Sequence, residues 1–182
     1  MQPELLTSRL RLRAFQPSDA GVVQRLAGDF EVADPTMAIP HPYPDGAAEE
    51  WIAGHAPAFA SNREITYAIT RQSDGQLLGA FTLLGISTKD SRCELGFWVG
   101  REYWSTGYCT EAGARMIVFA SEHLGITRIV ARCLARNQSS ARVMAKLAMQ
   151  PEGKLVKHSL RGGGYEDLLL FGLNLPGRIA RA

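Results

Sequence analysis

The 182-residue chain is 46% hydrophobic and 21% charged and carries a net charge of +2. That length supports one domain with a real core, and the composition is that of a globular fold. It points to neither nucleic acid nor membrane, and no run reaches the ~18–20 apolar residues that cross a bilayer. The charge is unevenly divided: residues 1–90 hold 7 Lys/Arg against 11 Asp/Glu, and residues 91–182 hold 13 against 7. Cys93, Cys109 and Cys133 show no C-x-x-C or Cys/His metal spacing. An odd count without a signal peptide predicts reduced thiols in the cytoplasm.

In chain order, residues 8–14 alternate Leu10, Leu12 and Ala14 against Arg9, Arg11 and Arg13, which predicts a strand with one wet face. The arginines read as protection of an exposed edge. Pro17-Ser-Asp-Ala opens a helix that carries Val22, Val23, Leu26 and Ala27 inward and ends near Gly28. Residues 34–46 are a Pro-rich loop. Asp45 is placed to cap a helix that runs to about Ser61, with Trp51, Ile52 and Phe59 inward and an interruption at Pro57. Residues 65–70 and 77–86 are strands joined by a turn at Ser73-Asp-Gly75, and 93–99 is a third. A helix then carries Ala112, Met116, Phe119 and Ala120 on one face and stops at Gly125. A strand at 127–135 and a helix at 138–148, capped by Asn137 or Ser139, follow. Strands at 151–160 and 165–173, joined by Arg161-Gly-Gly-Gly164, close the chain, and the last residues from Pro176 read as frayed.

The informative stretch is CELGFWVGREYWSTGYCTEA, residues 93–112. Cys93, Leu95, Phe97 and Val99 alternate with Glu94, Gly96 and Trp98 as a strand. Trp104 to Thr110 packs small residues around Gly107, and Glu111 opens the helical pattern. A small-residue loop that enters a helix N-terminus turns several backbone N–H groups toward one point, an arrangement suited to phosphate. It is not a P-loop, because no Lys follows Gly107, and no G-x-G-x-x-G opens a βαβ unit near the start.

The loop resembles the pyrophosphate loop, Q/R-x-x-G-x-G/A, of the GNAT N-acetyltransferase family. Its nearer likeness is the RimJ/RimL-like branch that acetylates ribosomal-protein N-termini, where Y-W-G-K/R-G-Y-A-T-E-A is common. Tyr103, Trp104, Gly107, Tyr108, Thr110, Glu111 and Ala112 fit. Ser105, Thr106 and Cys109 depart, and Thr106 stands where the branch has a basic residue. A second stretch, 123–153, resembles L-G-x-x-R-I … N-x-x-S-x-R-V-x-E-K-L-G-F-x-x-E-G through Leu124, Gly125, Arg128, Ile129, Asn137, Ser140, Arg142, Val143, Lys146, Leu147, Glu152 and Gly153. Ala145 replaces Glu, and Ala148-Met149 replaces Gly-Phe.

The resemblance implies a single α+β domain over 1–182. Its mixed, mostly antiparallel sheet is flanked by helices and splayed between strands 93–99 and 127–135. It implies acetyl-CoA as cosubstrate and no metal. The backbone of Phe97, Trp98 and Val99 would take the pantetheine arm, and Trp104, Ser105, Thr106, Gly107, Tyr108, Cys109 and Thr110 the pyrophosphate. Asn137 would hydrogen-bond the arm, and Ser140 the departing sulfur. Glu94 is the candidate base, with Asp167 and Tyr165 as alternatives. His41 and His55 read as loop or surface residues. An α-amine, with pKa about 7.7–8.0, is partly neutral at pH 7, whereas Lys at about 10.4 is not. By resemblance the acceptor is a protein or peptide N-terminal α-amine. A small-molecule amine and a CoA-binding module without turnover are the alternatives, and a homodimer is a further expectation.

Overall fold

The computed structural model describes residues 2–161 and 163–176. A single eight-stranded sheet runs β1 (Leu5–Leu6), β2 (Leu10–Arg13), β3 (Ile65–Arg71), β4 (Leu77–Ser87), β5 (Arg92–Val99), β6 (Arg128–Leu134), β8 (Gly164–Asn174) and β7 (Gln150–Arg161) in spatial order. Every neighbouring pair is antiparallel except β5–β6. Those two strands are parallel because a helix, α5 (Tyr108–Leu124), carries the chain back across the sheet between them.

Both faces of the sheet are covered, as the burial of all of β3 up to its last residue shows. Ile65, Tyr67 and Ile69 pack with Phe81, Leu95 and Ile129 against Met116, Phe119 and Ala120 of α5. Met144 and Leu147 of α6 (Gln138–Lys146) join the same core. On the opposite face Ala68 packs with Ala20, Val23 and Ala27 of α1 (Ala20–Ala27). Ala48 and Ile52 of α3 (Ala47–Ala53) complete that smaller cluster. Two short helices, α2 (Phe30–Ala33) and α4 (His55–Ala60), flank these.

Several local expectations change. β2 is not an edge, because the two-residue β1 covers it; Arg9 and Arg11 stay on the wet side as expected, and each of the three arginines also meets a carboxylate. Arg9 meets Glu111 at 2.7 Å, Arg13 meets Asp19 at 2.7 Å and Arg11 reaches Glu4 at 3.9 Å. Asp45 does not cap α3; it accepts from Gln24 Nε2, and Gly46 takes the cap position at φ 80°. The helix breaks at Gly54 rather than at Pro57, since Pro57 has no N–H for the carbonyl of residue 53. α5 begins at Tyr108, three residues before Glu111. His55 is no surface residue: it is 9% exposed against Phe15 and Trp51. Of the expected hairpin turn, residue 162 lies outside the described residues, as do 177–182 of the tail.

Candidate active site

The site starts where the β5–β6 ladder stops. Its pairs run from Arg92↔Arg128 to Leu95↔Ala131, while β6 stays paired with β8 as far as Leu134. Beyond Leu95 the two strands therefore part. Gly100 N–H donates to Leu78 O, so even-numbered positions of β5 direct their peptide groups at β4 and Phe97 and Val99 direct theirs into the gap. One of these groups is already used, because Val99 O accepts from Trp104 Nε1 at 2.7 Å. Val99 thus offers only its N–H, and Phe97 offers both groups.

α5 starts at the open end of this gap. Gly107 occupies its cap position at φ 85° and Ser105 precedes it at φ 61°, a backbone path that favours glycine and small polar residues. No side chain caps the helix, so its first-turn N–H groups face a groove of about 500 Å³. All the cofactor-facing residues expected from the sequence line this groove except Thr106. Thr106 instead ties the loop down: its hydroxyl donates to Tyr103 O at 2.6 Å and its carbonyl accepts from Arg9 Nη1.

Arg9 was not legible as a site residue. Its guanidinium lies 4.6 Å from the Tyr108 ring centroid while Nε donates to Glu111. Arg9, which precedes β2, thereby braces the loop from outside the groove. Burial opposes ionisation of Glu111, but hydrogen bonds from Thr7, Arg9 and Ser8 outweigh it and hold the carboxyl below its ordinary value. Arg142 and Lys146, one helical turn apart on α6, also line the groove, and neither has a carboxylate partner among the described residues. Their i, i+4 spacing was the available signal.

Asn137 joins the two halves of the site. Its Oδ1 accepts from Ser140 N at 3.0 Å, which caps α6, and its Nδ2 donates to Pro35 O at 2.9 Å in the Pro-rich loop. Arg136 adds to the clasp by pairing Asp34 and, at 2.7 Å, Glu166. Hydrogen bonding to that guanidinium holds the Asp34 carboxyl below the usual range. The Ser140 hydroxyl makes no hydrogen bond among the described residues and borders both the groove and a second cavity.

That second cavity, of about 370 Å³, lies over the other face of the sheet, under the Pro-rich loop and α3. Pro35, Thr36, Phe97, Trp98, Asn137 and Ser140 border both spaces, so the two meet where β5 and β6 part. Glu94 lines the cavity, and Arg132 grips both its oxygens, at 2.9 and 3.1 Å. Glu64 and Arg132 are lining residues that the sequence did not single out. Asp167 and Tyr165 line neither space: Asp167 pairs with Lys154 at 2.6 Å, and Tyr165 is exposed. His41 lies on the loop, its Nδ1 3.1 Å from Gly28 O. Burial pushes the thiols up, to about 12 at Cys93 and Cys109 and about 11 at Cys133, so none supplies a thiolate near neutral pH. No group of three or more His, Cys, Asp or Glu side chains placed to hold a metal ion occurs among the described residues.

A sheet wedged open beside an uncapped helix N-terminus, with a second cavity at the tip of the wedge, is an arrangement able to hold a phosphate-bearing cosubstrate next to an acceptor. The chain belongs to the GNAT family: residues 9–150 match the Acetyltransferase (GNAT) domain. It is 26% identical over 176 residues to the uncharacterized N-acetyltransferase YoaA of Bacillus subtilis, covering 97% of this chain and 99% of that one. Its fold is similar to that of RimL, a ribosomal L7/L12 alpha-N-protein acetyltransferase solved with coenzyme A. The TM-score is 0.86 at 16% identity, over 95% of this chain and 98% of that one. It is also similar to spermidine N-acetyltransferase from Vibrio cholerae, solved with CoA and spermine. There the TM-score is 0.80 at 18% identity, over 92% and 96% of the two chains. The chain is therefore a GNAT N-acetyltransferase of RimL-like fold, and enzymes of this family use acetyl-CoA.

Proposed function

We propose that the enzyme acetylates the α-amino terminus of a protein or peptide by direct attack in a ternary complex. The observation that carries this reading is the shared border: a groove fit for the cofactor and a separate cavity meet at Ser140, Asn137 and Phe97. Acetyl-CoA supplies an activated thioester. The first-turn N–H groups of α5, with Arg142 and Lys146, would hold its phosphates, and Phe97 and Asn137 its arm. The N–H groups of Phe97 and Val99 are the donors for the thioester carbonyl. Ser140, with an uncommitted hydroxyl, is the donor for the departing sulfur. Glu94 is the base for the amine, directly or through a water. The raised thiol pKa values favour direct attack over an acyl-cysteine route.

The α-amine assignment draws on the RimL likeness and on the ease of deprotonating an α-amine. A cavity of only about 370 Å³ and the likeness to a spermidine acetyltransferase support the second reading, a small-molecule amine. Thiol release from acetyl-CoA decides between them, measured against free-N-terminal peptides, N-blocked Lys peptides, polyamines, amino acids and aminoglycosides. Release with free peptides and none with their blocked forms is expected; release confined to polyamines, amino acids or aminoglycosides would replace the proposal with the second reading. A homodimer is proposed through β7, where Val156, Leu160 and the facing Tyr165 of β8 are all exposed. Light scattering should read twice the 19.9 kDa chain mass, and a single chain mass at micromolar concentration would remove the dimer.

A further inference from the structure

Three adjacent strands place a polar line beneath the acceptor cavity. Thr66 and Thr82 are direct cross-strand partners, and Thr82 in turn faces Gly96. Thr66 is 2% exposed and Thr82 8%. Their hydroxyls lie 3.1 Å apart, and Thr66 Oγ1 also donates to Glu64 Oε1 at 3.0 Å. A threonine has one hydroxyl hydrogen. That of Thr66 is committed to the carboxylate, which can only accept. Thr82 must therefore donate to Thr66. Its own hydrogen is then used, and its oxygen presents lone pairs to whatever lies beside it.

What lies beside it is the cavity. Thr82, Gly96 and Glu64 all line it, whereas Thr66 does not. Gly96 leaves the floor open next to Thr82: a Cβ there would sit 3.0 Å from Leu84 Cδ1 and 3.9 Å from Thr82 Cβ. Glu94, two residues before Gly96 on the same face, is held at both oxygens by Arg132. Glu64 forms no ion pair among the described residues.

We infer that Thr82 receives an N–H of the acceptor amine, and that Thr66 and Glu64 are positioning residues that fix its hydroxyl as an acceptor. An ammonium carries only N–H groups, and an amine whose lone pair is aimed at the thioester has only its N–H groups left to place, so a hydroxyl locked in the accepting sense recognises either. One free to rotate would recognise them less well. This inference rests on the proposed transfer to an amine and concerns only how the amine is held.

The test is steady-state kinetics with the best amine of the acceptor panel, each variant checked by melting temperature and by calorimetric CoA binding. Thr82→Val should raise the amine KM about 10- to 100-fold, the range for one hydrogen bond to a charged group. Thr82→Ser should restore it within a few-fold. Thr66→Val, at a position that does not reach the cavity, should raise the amine KM in the same direction, with the acetyl-CoA KM unchanged. Thr66→Ser should reverse that effect. A folded, CoA-binding Thr82→Val or Thr66→Val with the wild-type amine KM would overturn the inference and leave the proposed reaction standing. A wild-type enzyme that turns over no amine would remove both together.

Discussion

His55 gives the fold a built-in acid sensitivity whose size can be worked out. Neither ring nitrogen has a hydrogen-bond partner among the described residues, and Phe15 and Trp51 pack on the ring at 5.3 and 4.4 Å between centroids. Burial disfavours the imidazolium and lowers the pKa from 6.5 to about 4. The unfolded chain therefore binds a proton through a pH range in which the folded chain does not. Stability from this group is complete above pH 6.5 and is lost as pH falls toward 4. At pH 5 the two titrations differ by about 2 kcal/mol. Asp19, Asp34 and Glu111 have lowered pKa values and also stabilise the fold in their charged forms. Their contribution is present above ordinary values of 3.8 for Asp and 4.5 for Glu, and is lost only as pH falls through the lower folded values. The window from pH 7 to 5 is thus set largely by His55. Urea unfolding at pH 8 and pH 5 measures the difference. His55→Leu should remove about 2 kcal/mol of the pH dependence and be no less stable than wild type at pH 8, since it buries no unpaired nitrogen. An unchanged pH dependence in His55→Leu would refute the reasoning.

Other perturbations report on the site and its supports. Asn137→Ala loses the α6 cap and the bond to Pro35, each worth about 1 kcal/mol, and should lower the Tm by about 4–8 °C; Asn137→Asp keeps the cap and should lose about half as much. Arg9→Ala removes the loop's tie to the residue before β2 and should weaken CoA binding about five-fold by calorimetry, equivalent to about 1 kcal/mol. Ala148 stands in the left-handed region at φ 61°, so Ala148→Gly should raise stability by about 0.5–1 kcal/mol in a urea melt. Glu94→Gln and Ser140→Ala should each lower kcat at least about ten-fold while calorimetric CoA binding stays within two-fold; unchanged kcat would reassign the residue.

The sequence carried the strand–loop–helix of 93–112, the Asn137 cap and the Gly125 stop because each depends on neighbours in the chain. Contacts between distant segments were harder to read. Arg9 meets Thr106 and Glu111 across about a hundred residues, and its alternation with leucines is the same whether the arginines face water or a loop. β1 is two residues long, too short for a periodicity, so β2 looked like an edge. His55 did leave a trace: Ala48, Ile52, His55 and Phe59 follow helical spacing, and the histidine's polarity hid a core position. The cavity residues Glu64, Thr82 and Arg132 come from the residue before β3, from β4 and from β6. Only the register β3–β4–β5–β6 brings them to one face.

The central claim is direct transfer from a groove to an adjoining cavity, and one experiment addresses it. The enzyme is mixed with acetyl-CoA without acceptor, its intact mass is recorded, and a peptide with a free N-terminus is then added while thiol release is followed. An unchanged chain mass, no release before the peptide and release with N-terminal acetylation after it is the predicted result. An acetylated enzyme before the peptide is added, or no release after it, would contradict the account.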